Sequence, residues 1–350
     1  MKILTVIGAR PQFIKAAALS KVLKGVHEEI IVHTGQHYDT NMSQIFFDEL
    51  NIPQPTYNLN IGSGSHSVQT GKMLMGFEEV CDKEKPDLVL VYGDTNSTLA
   101  GALCASKRLI PVAHVEAGLR SFNKKMPEEQ NRILTDHLSD YLFVPTQTAF
   151  DNLKNEGIVE GVFQTGDIMY DAVSLFADIA NKKSEIMNRL GLNTNEFILS
   201  TIHRAENTND IHRLRNIIEA LNESEAKIVL PLHPRTKKFI EEYRIAINEN
   251  VIVTEPLGYL DMIKLEHEAA KIVTDSGGVQ KEAYFAKKPC ITMRDETEWV
   301  ETVQAGWNTI VGSDKERIIK AIQSFIPKTN QPRLFGNGDT AQIICDILGR

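Results

Sequence analysis

The chain has 350 residues, 42% of them hydrophobic and 24% charged, with a formal net charge of −8. That is the mix of an ordinary globular protein long enough for two domains, and an acidic balance without a long basic run excludes a nucleic-acid partner. No apolar run reaches the roughly 18 residues a membrane helix needs, so no membrane partner is expected.

The N-terminus, MKILTVIGARPQ, opens on a short apolar strand and lacks the apolar core of a signal peptide. The four cysteines, Cys81, Cys104, Cys290 and Cys345, form no C-x-x-C pair. This disfavours a zinc site or a disulfide framework and suits a reducing cytoplasm. Strand candidates follow at 2–8, 29–35, 87–94, 110–118 and 141–146, and a second series at 162–167, 197–204, 227–234, 251–256, 271–278 and 288–295. Continuous apolar strands separated by helix-length stretches indicate parallel sheets covered on both faces. About eleven strands suit two doubly wound, Rossmann-like α/β domains better than one sheet. The expected division is an N-terminal domain over 1–170 and a C-terminal domain over 171–338, with a last helix at 339–350 crossing back to the first.

Ligands of parallel α/β sheets bind beyond the carboxyl ends of the strands. The groups at those ends are Gly8-Ala9-Arg10, Gly35-Gln36-His37, Gly93-Asp94, His114 with Glu116, Gly166-Asp167, His203-Arg204, His233 with Arg235, Asp275 to Gly278, and Arg294-Asp295. A scaffold has no need of so many. Two such domains facing each other would form a polar cleft.

In VTDSGGVQKEA, Ser276, Gly277 and Gly278 let backbone N–H groups approach a ligand at a helix start, the arrangement of a diphosphate seat. Glu282, a little over one turn further on, is placed to accept from ribose hydroxyls, and Arg294 ends the next strand. The bland alternative is a tight turn capped by Ser276. GARPQFIK brings Arg10 and Lys15 to the start of a helix after the first strand, as a clamp on a leaving phosphate or as a solvated helix start. It is not the G-x-G-x-x-G dinucleotide fingerprint. Asp94 and Glu116 stand beyond two strand ends and Glu128 follows Pro127, three carboxylates suited to general acid–base work. Asp94 could equally cap a helix, and one of Glu128 and Glu129 could serve only as favourable charge in a first turn. His203 and Arg204 in STIHRAENT end another strand, and His233 in LHPRTKK is either a ligand or part of a His-Pro turn.

In order, GARPQFIK, VYGDTNSTLAGALCA, HVEAGLRSF…MPEEQNR, HRAEN, EPLGYLDM, TDSGGVQKEA and MRDETE resemble the non-hydrolysing UDP-N-acetylglucosamine 2-epimerases over essentially the whole chain. The resemblance implies a GT-B architecture of two Rossmann-like domains around a cleft, a UDP-sugar substrate, a homodimer, and no NAD, metal or other cofactor. It implies that UDP leaves to give a 2-acetamidoglucal and then re-adds after protonation on the opposite face. Asp94, Glu116, Glu128 and His203 match the catalytic set; Arg10, Lys15, Arg204, His233, Tyr259, Ser276, Gly277, Gly278, Glu282 and Arg294 match the binding set, with Tyr259 near uracil.

Departures from the commoner pattern are Gln12 in place of Glu, Trp299 in place of an arginine, and the spelling of HTGQHYDTNMSQ; they resemble the branch acting on UDP-2,3-diacetamido-2,3-dideoxyglucuronate. Loss of a negative charge at position 12 would suit a sugar with its own carboxylate, with Arg120, Lys124 or Lys125 as its cation. NIGSGSHSVQTGK lacks the arginine implied for allosteric control by substrate, so that control is not expected. Rival readings are a GT-B glycosyltransferase, which would need an acceptor, and a non-catalytic nucleotide-sugar sensor, which would not need the carboxylates.

Overall fold

The structure is a computed structural model that describes residues 1–35 and 54–349. Gln36 and His37 lie outside the described residues. The chain divides into two compact units, Met1–Ala172 with Phe335–Arg350, and Val173–Leu334.

The first unit is built on a parallel sheet of β1 (Lys2–Ile7), β2 (Glu28–His33), β3 (Tyr57–Asn58), β4 (Leu88–Tyr92), β5 (Val112–Val115), β6 (Tyr141–Val144) and β7 (Val162–Gln164), in the order β3-β2-β1-β4-β5-β6-β7. Central strands read as unbroken apolar runs because helices cover both faces; all five residues of β4 are buried. Leu4, Val6, Val89 and Val91 pack with Phe77 and Ala102 from the helices His66–Glu84 and Asn96–Lys107. The final helix, Thr340–Leu348, packs on Arg10–Leu23, with Cys345 Sγ 3.9 Å from the Val22 carbonyl.

The second unit holds a parallel sheet of β8 (Ile198–Thr201), β9 (Ile228–Pro231), β10 (Val251–Thr254), β11 (Lys271–Thr274), β12 (Cys290–Thr292) and β13 (Asn308–Ile310), in the order β10-β9-β8-β11-β12-β13. Both sheets are doubly wound, so each reverses strand order at a single place, between β1 and β4 in the first and between β8 and β11 in the second. Those are the positions at which such sheets bind ligands.

Two strands escape the sequence reading, β3 and β13, which are two and three residues long and sit at sheet edges. One strand is regrouped: Val162–Gln164 pairs with β6 and closes the first sheet, where the sequence placed 162–167 with the second series. Among the described residues no helix is long and apolar enough to cross a membrane.

Candidate active site

In the first unit, helix Arg10–Leu23 starts directly after β1 and carries Arg10 on its exposed first turn. Lys15, one turn in, makes an ion pair with Glu116 Oε2. Glu116 follows β5 with φ at +70°, a left-handed conformation that a non-glycine residue adopts at a cost. Its carboxylate lies over the turn after β4: a Cβ added to Gly93 would stand 3.5 Å from Glu116 Oε2 and 3.8 Å from Lys15 Nζ. Gly93 itself has φ at +63° and leads into Asp94, whose Oδ2 accepts from Arg132 Nη2 at 2.6 Å. The structure thus brings Glu116 and Lys15 together over the turn that leads into Asp94, beside the β1/β4 reversal.

Glu128 and Glu129 separate cleanly. Glu129 is buried and accepts from the backbone N–H groups of Ser121 and Phe122, the Ser121 hydroxyl and Arg132. Burial pushes its carboxyl up, but those hydrogen bonds outweigh burial and hold it below the usual value. Glu128, its neighbour, is exposed at the start of helix Pro127–Leu138.

In the second unit, Asp275 is fully buried and accepts from the backbone N–H groups of His203 and Arg204 and from Asn207 Nδ2. It fixes the loop after β8, leaving the His203 ring half exposed with Nδ1 3.3 Å from Asp275 Oδ1. Ser276 caps helix Gly277–Phe285, its hydroxyl accepting from Val279 N–H. The N–H groups of Gly277 and Gly278 belong to the first turn, where a helix offers no internal partner.

The two glycines differ, and neither has a left-handed φ. A Cβ on Gly277 would stand 1.9 Å from Glu298 Oε1, so that glycine is needed for close packing inside the chain. A Cβ on Gly278 would meet nothing nearer than Ser276 Oγ at 3.8 Å. Glu298 accepts from Arg294 Nη1 at 2.7 Å and lies 4.0 Å from Arg204 Nη2. Burial pushes the Glu298 carboxyl up, but its own backbone N–H and the two arginines hold it below the usual value. Arg204 Nε is buried with no hydrogen-bond partner among the described residues. A guanidinium donor beside helix-start N–H groups is an arrangement that can receive an anion, and here the Glu298 carboxylate lies against it.

Glu282 is half buried on the same helix. His233 caps helix Pro234–Glu242, its Nδ1 accepting from Arg235 N–H at 3.2 Å, which is the turn reading. Tyr259 is buried, its ring edge-on to Phe176 at 5.6 Å.

A sequence profile of the family described as UDP-N-acetylglucosamine 2-epimerase matches residues 22–349. The chain belongs to that family. It is 57% identical to a UDP-N-acetylglucosamine 2-epimerase homolog of Methanococcus maripaludis, over 99% of each chain. It is 53% identical to the UDP-2,3-diacetamido-2,3-dideoxy-D-glucuronate 2-epimerase of Pseudomonas aeruginosa, over 100% of each. Among solved structures, the UDP-GlcNAc 2-epimerase of Methanocaldococcus jannaschii in complex with UDP-GlcNAc and UDP matches with a TM-score of 0.87 at 48% identity, covering 99% of both chains. The fold is the GT-B class that the motifs imply, two Rossmann-like units in one chain. These relatives are epimerases, and they favour that reading over a transferase or a sensor.

The structure corrects the physical account of the family departures. Gln12 is buried, and its Oε1 accepts from the N–H groups of Gly8 and Ala9 while its Nε2 faces the Tyr92 carbonyl and the hydroxyls of Thr95 and Thr98. The amide locks two turns together; an ionised Glu could not donate to Tyr92, which gives Gln at this position a local reason. Trp299 donates from Nε1 to the Gly277 carbonyl at 2.9 Å and carries Lys281 Nζ over its ring at 4.4 Å, which braces the Gly-Gly turn. Arg120, one of three candidates to bind a sugar carboxylate, is held by Asp136 and bidentately by Glu156. Lys124 and Lys125 remain exposed.

Sequence reasoning missed Glu298, Arg132, Asp136 and Lys281. One had a readable signal, because Glu129 and Arg132 stand at i,i+3 spacing on one helix, whereas Arg294 and Glu298 lie in the loop after β12.

Proposed function

We propose that the chain inverts C2 of a UDP-linked 2-acetamido sugar, without a cofactor. The observation that carries this is the Lys15–Glu116 pair lying over the turn that leads from β4 into Asp94, beside the β1/β4 reversal, with Glu116 kept in a costly backbone conformation. The anion seat at Ser276, Gly277 and Gly278 supplies the other requirement, a place for the diphosphate.

C2 of such a sugar is not next to a carbonyl, so its proton is held firmly. The C1–O bond to the diphosphate breaks, its electron pair leaving on UDP. The C2–H bond breaks with it, the proton passes to a carboxylate, and C1=C2 forms. A second carboxylate then returns a proton to the opposite face of C2 while the UDP oxygen re-forms the bond to C1. Asp94, Glu116 and Glu128 are the carboxylates, with His203 in the catalytic set. Arg10 and Lys15 stabilise the developing charge on UDP, and Lys15 makes an ion pair with Glu116. Arg204, Arg294 and the helix-start N–H groups receive the diphosphate; Glu282 accepts from ribose; His233 and Tyr259 complete the binding set.

UDP-N-acetylglucosamine and UDP-2,3-diacetamido-2,3-dideoxyglucuronate are the two candidate substrates; 53% identity with the enzyme of the second supports it. The proposal includes a homodimer, which sedimentation tests, and a cytoplasmic location, which four buried cysteines without disulfides suit. Each UDP-sugar is incubated with the protein in D2O and followed by NMR. The expected result is a C2 epimer carrying solvent deuterium at C2, with no acceptor added. Conversion that requires an acceptor, or that leaves C2–H intact, would overturn the reading.

A further inference from the structure

His114 is fully buried on β5 and touches both loops that carry the proposed carboxylates. Its Nε2 lies 2.8 Å from the Gly93 carbonyl oxygen, and its Nδ1 lies 2.7 Å from Asp136 Oδ1. A carbonyl can only accept. Asp136 Oδ2 already accepts from Gly118 N–H at 3.1 Å and Arg120 Nη1 at 2.7 Å, the pattern of an ionised carboxylate. Burial pushes the Asp136 carboxyl up, but His114 and Arg120 outweigh it and hold the carboxyl below 3.8. With an acceptor on each side, both ring nitrogens are placed to donate.

The two contacts hold two different turns. Gly93 immediately precedes Asp94, and the direction of its carbonyl sets how the chain leaves β4. Asp136, through Gly118 N–H, holds the residues just after Glu116. The other charges around these turns are matched, Lys15 with Glu116 and Arg132 with Asp94 and Glu129. Resting on the carboxylate assignment above, we propose that His114 is a positioning residue, a doubly protonated ring that pins the Asp94 and Glu116 turns in one fixed relation.

Two variants separate positioning from mere support. His114→Gln puts an amide N–H near the place of Nε2 and keeps the donor to Gly93. His114→Asn puts one near Nδ1, keeps the donor to Asp136 and releases Gly93. Turnover, KM and UDP affinity are measured for both, with thermal unfolding alongside and 15N NMR of the parent's histidine rings. His114→Asn should lower kcat about 10²-fold and His114→Gln about tenfold or more, each with KM and UDP affinity near the parent's, because each variant releases one of the two turns. The NMR should show both His114 nitrogens protonated. Parental kcat in either variant, losses of kcat matched by equal losses of UDP affinity, or a neutral ring in the parent would overturn the proposal. Retained turnover in Asp94→Asn and Glu116→Gln would overturn the carboxylate assignment instead, while the NMR result on His114 would stand.

Discussion

Gly278→Val isolates the anion seat from the fold. A Cβ there meets only Ser276 Oγ, at 3.8 Å, which is ordinary van der Waals contact, and the φ is not left-handed. The fold should therefore accept the side chain, and exchanging glycine for valine in a helix recovers a few tenths of a kcal/mol of propensity. A bound diphosphate has no such room, because the branched side chain would stand over the first-turn N–H groups it must reach. Losing one or two hydrogen bonds to a charged group costs about 2–4 kcal/mol, or roughly 30- to 1,000-fold in Kd. Calorimetric titration of UDP should show that loss while thermal unfolding shows a Tm equal to or slightly above the parent's. A variant that folds normally and binds UDP as the parent does would refute the seat. Gly277 is the less informative position: its Cβ would displace Glu298 from its 2.7 Å bond to Arg294, so folding and binding losses would mix.

Asp94→Asn, Glu116→Gln and Glu128→Gln should each reduce turnover by roughly 10²-fold or more with little change in UDP affinity, and near-parental turnover in all three would remove their acid–base roles. Glu282→Gln should weaken UDP binding by roughly 1–3 kcal/mol in the same titration, through weaker hydrogen bonds to ribose; an unchanged Kd would free Glu282 of that role. Glu266, buried with Oε2 unpartnered among the described residues, has its carboxyl pushed well above 4.5 by burial and by the charge of Glu282. A raised folded-state value means its contribution is intact below 4.5 and is lost as pH rises through the folded value. Glu266→Met should therefore gain in Tm over the parent progressively as pH rises above 4.5, and a gap that does not vary with pH would refute the assignment.

Much of this was readable because parallel α/β sheets oblige their polar groups to gather at strand ends. Asp94, Glu116, His203 and Ser276 to Gly278 could be singled out by that rule alone. What escaped depends on which way a side chain turns. Glu128 and Glu129 are equivalent on paper, and only the fold buries one under Ser121 and exposes the other. Gln12 reads as a missing charge until both ends of its amide are seen to be spent on backbone turns. Gly277 and Gly278 read as a matched pair, yet one makes room for Glu298 and the other for nothing in the chain. The strands β3 and β13 carry too few residues for any periodicity to show.

The chain's two ends both belong to the first unit, so the second unit, Val173–Leu334, is an insertion within it. Synthesis runs from the N-terminus, and domains fold as they emerge. The inserted unit is therefore complete while its host still lacks the helix Thr340–Leu348, and the side of Arg10–Leu23 that this helix covers stays bare until the last residues are added. A premature stop shortly before residue 340 would spare the whole of the inserted unit and strip the helix that carries Arg10 and Lys15. Such a truncated chain should still bind UDP and should turn nothing over.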